Sequence, residues 1–126
     1  MKPPIFLVIV AIVAFVFGIL FILVPGPLVS LYGISLSAGG QLVGRLFGAA
    51  LLGYSVLTWS ARKAEDSQAR KAIILAQFIG NTLGFIVALI AQLAGVANAV
   101  GWSTVVIYFL LALGFCYFQF GKRSAA

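Results

Sequence analysis

The stretch at 72–121, AIILAQFIGNTLGFIVALIAQLAGVANAVGWSTVVIYFLLALGFCYFQFG, carries no charged residue between Lys71 and Lys122. A bilayer core about 30 Å thick is crossed by about 20 apolar residues of helix. The stretch is too long for one crossing and suits two, joined by the short uncharged turn from Gly95 to Gly101. Working outward, the segment between Lys2 and Arg62 has the same form, with Arg45 as its single charge. Pro25-Gly26-Pro27 divides that segment, because proline lacks the N–H a helix needs and turns the preceding residue away from helical geometry. Two crossings on each side of a polar connection make a four-span chain. The expectation is an all-α protein, a four-transmembrane-helix bundle that forms a single integral membrane domain over 1–126. The spans are expected at about 5–24, 41–60, 72–94 and 102–120. Leu28 to Gly40 reads as a loop or interfacial stretch, and Ala61 to Lys71 as a polar connection in which Asp66 or Ser67 caps the next helix.

Composition agrees. The chain is 63% hydrophobic and only 8% charged, against about 25% charged in soluble domains. A net charge of +6 in a soluble protein would suggest nucleic acid. These basic residues form no aromatic-interleaved stripe, so no nucleic-acid partner is expected. They fall instead at Lys2, Arg62-Lys63, Arg70-Lys71 and Lys122-Arg123, all on one side of a four-span chain. Cytoplasmic loops are biased toward Lys and Arg, which predicts both termini and the middle connection inside the cell. Trp59 and Trp102 then sit at opposite interfaces, where amphipathic rings prefer to lie. The run Ile5 to Val24 exceeds the apolar core of a cleaved signal peptide and is read as a retained helix. The predicted location is the bacterial inner membrane, with the lipid bilayer itself as the first partner.

Small residues let helices approach closely in lipid, where the hydrophobic effect does not draw them together. Gly40, Gly44 and Gly48 lie four apart on the second span, and Gly80, Gly84 and Ala88 on the third. These faces are expected either to pack against each other in one bundle or to form a dimerisation surface. Arg45 lies about one turn into the second span with no acid in any span to pair with it. It either snorkels and anchors the helix, bonding to lipid phosphate or to carbonyls at the Pro25-Gly26 helix end, or binds an anionic headgroup or substrate. Gln41 is one turn away on the same face, and Gln92 is expected at similar depth. Gln77, Asn81, Gly84, Ala88 and Gln92 make a polar-small stripe that should face protein, since an unpaired amide in hydrocarbon is costly. Interhelical hydrogen bonding or the lining of a hydrated cavity would use it. Arg45, Gln41, Asn81 and Gln92 are the candidate ligand or headgroup residues.

What is missing excludes much. There is no His, and the two acids, Glu65 and Asp66, sit in the polar connection. Proton-coupled transport needs a titratable group in the membrane, and acid–base or nucleophilic catalysis needs similar groups. Cys116 is the only cysteine, so neither an internal disulfide nor a metal site built on cysteines is available. No enzyme activity, metal or cofactor is expected.

Small multidrug exporters of this length rely on a first-span glutamate that Ile5 to Val24 lacks. The run Leu31-Tyr32-Gly33-Ile34-Ser35-Leu36-Ser37 before Arg45-Leu46-Phe47-Gly48, and Gly101-Trp102-Ser103-Thr104 before an aromatic helix, give a different likeness. The chain resembles small uncharacterised bacterial four-span inner-membrane proteins of the DoxX-like or domain-of-unknown-function type. That resemblance implies a compact four-helix membrane protein and supplies no catalytic residues. Two functions stay open. One is a non-catalytic accessory or structural subunit that associates with a larger membrane complex or with itself, through faces such as Tyr108, Phe109, Phe115, Tyr117, Phe118 and Phe120. The other is a small-solute, ion or lipid-binding protein that uses Arg45 and the polar face of the third span.

Overall fold

The computed structural model describes residues 2–63 and 68–121. Five helices follow in order: α1 (Pro3–Leu23), α2 (Pro25–Ser30), α3 (Ala38–Ala61), α4 (Gln68–Leu93) and α5 (Gly101–Phe120). All but α2 are long and apolar enough to cross a membrane. At 1.5 Å per residue, 20 residues of α5 span about 30 Å, the thickness of the hydrocarbon core. Asp66 and Ser67, the expected cap of α4, lie outside the described residues.

Each boundary has a local cause. Pro3 and Pro4 stand in the first turn of α1, where a missing N–H breaks no intrahelical bond. Val24, the residue before Pro25, leaves helical geometry with φ −138° and ψ 60°, as the proline ring requires. Pro25 then opens α2, a short helix within the expected turn and loop. Gly33 ends it at φ 74°, with Gly33 N–H donating to Ser30 O and Ile34 N–H to Val29 O. Gly95 ends α4 in the same way at φ 76°, with N–H bonds from Gly95 to Gln92 O and from Val96 to Ala91 O. Both are Schellman closures, whose left-handed residue is usually glycine. Ser37 caps α3 by accepting from Gly40 N–H at 3.1 Å.

The long helices pack as two close pairs, α1 with α3 and α4 with α5. Glycine sets each pairing. A Cβ on Gly48 would come within 2.7 Å of Gly18 O, so the α1 and α3 backbones touch there. Gly84 of α4 seats the ring of Tyr108 from α5, leaving no space for a Cβ. The two glycine faces therefore do not meet each other, contrary to one expectation, because each faces the other helix of its own pair. Gly44 lies against Pro25 at the α1–α2 corner. A Cβ on Gly40 would have Leu36 and Ser37 as its nearest neighbours, and one on Gly80 would meet nothing within 4 Å. Neither has another long helix among its nearest neighbours.

The pairs join firmly at the end that carries Lys2, Arg62 and Arg70, called here the basic end. Leu7 and Val10 of α1, Ala61 of α3, Ile74 of α4 and Phe115 of α5 form one buried cluster. Phe6 seats over Gly114 and stacks edge-on against Phe115 at 4.8 Å between ring centres. Arg62 lies 4.0 Å from the Trp59 ring, an attraction between a cation and the negative face of the indole.

Candidate functional site

Toward the far end the two pairs separate, and a cavity of about 350 Å³ lies between them. Val10, Val13, Ala14, Phe17 and Phe21 of α1 form one wall. At the rise of an α-helix that wall runs about 16 Å. Ile107, Tyr108 and Leu111 of α5 form another, with Ala76, Gln77, Gly80 and Asn81 of α4 beside it. Phe47, Leu51 and Tyr54 come from α3. Leu28 and Val29 of α2, together with Tyr32 and Ile34, close the far end. The wall is almost entirely apolar or aromatic, as small-molecule sites usually are, with a few polar groups.

Those polar groups centre on two amides, each nine-tenths buried. Gln77 is 7% exposed and Asn81 8%. Gln77 Nε2 donates to Thr58 Oγ1 of α3 at 2.7 Å, which ties the two pairs together one turn beyond the basic-end cluster. Thr58 is fully buried. Asn81 Nδ2 donates to Gln77 O at 2.7 Å and lies 3.4 Å from Gln77 Oε1. Both contacts are acceptors, which fixes the amide orientation: a reversed Asn81 would set its oxygen against a carbonyl. Asn81 Oδ1 accepts no hydrogen bond among the described residues.

The far end is latched by Asn98, in the turn between α4 and α5. Its N–H donates to Tyr32 O at 2.8 Å, and its Nδ2 to Leu31 O at 3.2 Å. Its Oδ1 accepts from Val100 N–H, and its carbonyl accepts from Gln92 Nε2 at 2.9 Å. Thr104 Oγ1 donates to Tyr32 O–H at 3.0 Å. The α2 cover is thus held to the opposite pair. The seam between α3 and α4 is more open. Phe47 and Tyr54 on one side and Ala76 and Gly80 on the other line the cavity and are also exposed. That seam faces sideways, toward lipid in a membrane.

With this geometry in place, comparison with known proteins gives one result. Residues 4–120 match the family described as a domain of unknown function, DUF8292. The chain belongs to the DUF8292 family. No curated protein and no solved structure matches it. The match lends no support to a DoxX-like kinship.

In this DUF8292 chain the four residues singled out as ligand candidates are not one site. Arg45 donates through Nη1 to Ile22 O, in the last turn of α1, where carbonyls have no intrahelical partner. A cation there also suits the negative end of the helix dipole. Gln41 finds no side-chain partner among the described residues. Gln92 is spent on the Asn98 turn. Only Asn81 reaches the cavity. Of the aromatic residues of α5, Phe115 and Phe118 pack on Phe6, whereas Phe109, Tyr117 and Phe120 are exposed even though Phe109 also touches Phe85 and Phe120 touches Phe78.

Sequence reading did not pick out Asn98, Thr58, Ser55 or Gly18. Ser55 is buried and donates to Ala11 O at 2.7 Å, a second tie within the α1–α3 pair. A signal existed for Thr58 and Ser55. They lie three apart on one face of an apolar helix, where hydroxyls commonly bond across to a neighbour.

Proposed function

We propose that this protein is a non-catalytic, multi-pass protein of the bacterial inner membrane that holds a small apolar molecule drawn from the bilayer. The cavity between the helix pairs is the observation that carries this reading. A gap of that size in a bundle is costly when empty, because its lining loses packing contacts. The seam between α3 and α4 gives a sideways route from lipid. Arg45, bonded to the end of α1, is then a structural anchor and not part of the site. The orientation proposed is both termini and the 61–71 connection cytoplasmic, from the seven basic residues on that side. With Cys116→Ala as background, a membrane-impermeant thiol reagent on whole cells should label cysteine placed at Ser37 and not at Ser67.

The ligand reading is tested by purifying wild type and Gly80→Phe in mild detergent and analysing the organic extract of each by mass spectrometry. A Cβ on Gly80 would meet nothing within 4 Å and the residue lines the cavity, so a side chain can start there, and a ring is large enough to plug the mouth. A near-stoichiometric lipid that copurifies with wild type and drops at least tenfold in the plugged variant is expected. Equal lipid content in a plugged variant of unchanged stability would refute the reading.

A further inference from the structure

The Asn81 amide shows one free face to the cavity, and that face is an acceptor. Its two N–H groups are turned to Gln77 O and Gln77 Oε1. Its Oδ1 has no partner among the described residues, although the residue is 8% exposed and lines the cavity. The atom is not sealed off, so it opens onto the cavity, and a carbonyl that meets hydrocarbon there without a donor costs about 1–3 kcal/mol. A ligand that donates one hydrogen bond removes that cost, and one that only accepts does not. The described lining holds no acid and no base, so a charged ammonium donor would lose its hydration without gaining a counter-charge. A neutral hydroxyl fits on both counts.

We propose that the cavity selects a neutral membrane alcohol, with its hydroxyl donating to Asn81 Oδ1 and its hydrocarbon along the α1 wall. The hydroxyl then lies one turn beyond the Gln77–Thr58 tie, and the chain runs along the α1 wall toward the α2 cover. Access is through the α3–α4 seam, where the small side chains of Ala76 and Gly80 leave room beside Tyr54. This inference rests on the ligand-binding reading and adds the chemical class.

The test uses two photoreactive probes on the full-length protein in lipid nanodiscs. One is a long-chain alcohol carrying a diazirine in its chain, and the other is its methyl ether, equal in shape but unable to donate. Labelled peptides are mapped by mass spectrometry, with Gly80→Phe as the plugged control. The alcohol should label the α1 and α5 walls about five- to tenfold more than the ether, the range expected from one net hydrogen bond. Asn81→Leu, which keeps the branched outline of the side chain and removes the acceptor, should bring the alcohol down to the ether. Equal labelling of the walls by both probes in wild type would overturn the hydroxyl proposal and leave the cavity reading standing. Failure of both probes to label the walls, or labelling unchanged by Gly80→Phe, would overturn the cavity reading itself.

Discussion

The basic end and the far end of this bundle are built from the same residue types and reach opposite results. At the basic end, aromatic rings settle over glycine and alanine: Phe6 on Gly114, with Phe115, Leu7 and Ala61 closed beneath. Further along α4, Gly80 lines the gap and has no ring within 4 Å of where a Cβ would stand, and a cavity remains. Composition alone does not decide whether a bundle fills. The decisive matter is whether each small residue finds a large one across the seam. In lipid, where helices gain little from leaving the apolar phase, that matching carries the association.

The contrast breaks most easily at its strongest point. Phe115→Ala removes a ring from a site that is fully buried and should cost about 3–5 kcal/mol. Ile107→Ala, on the cavity wall, removes a partly exposed side chain and should cost about 2 kcal/mol, the low end for such truncations. Unfolding in mixed micelles measures both, and equal costs would mean that the far half is as well packed as the basic half.

Gly84→Leu and Gly80→Leu give the next largest difference. Gly84 lies under the Tyr108 ring, so the first variant forces α4 and α5 apart at about 1–3 kcal/mol. Gly80 has open space, and a better helix former there should be neutral or stabilising by up to about 1 kcal/mol. Thermal stability of the two proteins, side by side, reads the sign of each.

The latch should matter less than either. Asn98→Ala leaves Leu31 O and Val100 N–H without their side-chain partners and is expected to cost about 1–2 kcal/mol. Hydrogen exchange should quicken at 28–34 and not at the basic end. Uniform quickening would show that the α2 cover is not a separate unit.

Arg45 gives the smallest effect. Its bond to Ile22 O and the dipole of α1 are together worth about 1 kcal/mol. Arg45→Ala should lose that, and Arg45→Lys should recover part of it, since a Lys also places a positive charge near the last turn. Loss of copurifying lipid in Arg45→Lys, with stability unchanged, would return Arg45 to the binding site.

Much of the fold was legible because charge is costly in hydrocarbon. Four spans could be read from where Lys and Arg do not occur, and the helix limits moved by only a few residues. The short helix α2 was hidden because Pro25 and Pro27 read as breakers, although proline in a first turn is also a helix start. The site was less legible for a physical reason. Four-residue glycine spacing shows that Gly44, Gly48, Gly80 and Gly84 lie on helix faces, but not which neighbour each face meets. Gly18, alone in its span, lies so close to Gly48 that neither position has room for a Cβ, and no repeat announces it. The amides of α4 were visible as a stripe. That Gln77 would be satisfied across the gap and Asn81 left with an open acceptor depends on the splay of the pairs, which no periodicity encodes.

The central claim is that the space between the pairs is occupied by a molecule from the bilayer. It is tested most directly by intermolecular nuclear Overhauser effects, with methyl-labelled protein in deuterated detergent and a protonated bilayer lipid extract added. The methyls of Ala14 and Ile107, on facing walls of the cavity, should show cross-peaks to ligand chain protons, and Gly80→Phe should remove them while leaving those of the exposed Val56 and Val87 unchanged. Cross-peaks confined to exposed methyls in wild type, with none at Ala14 or Ile107, would contradict the account.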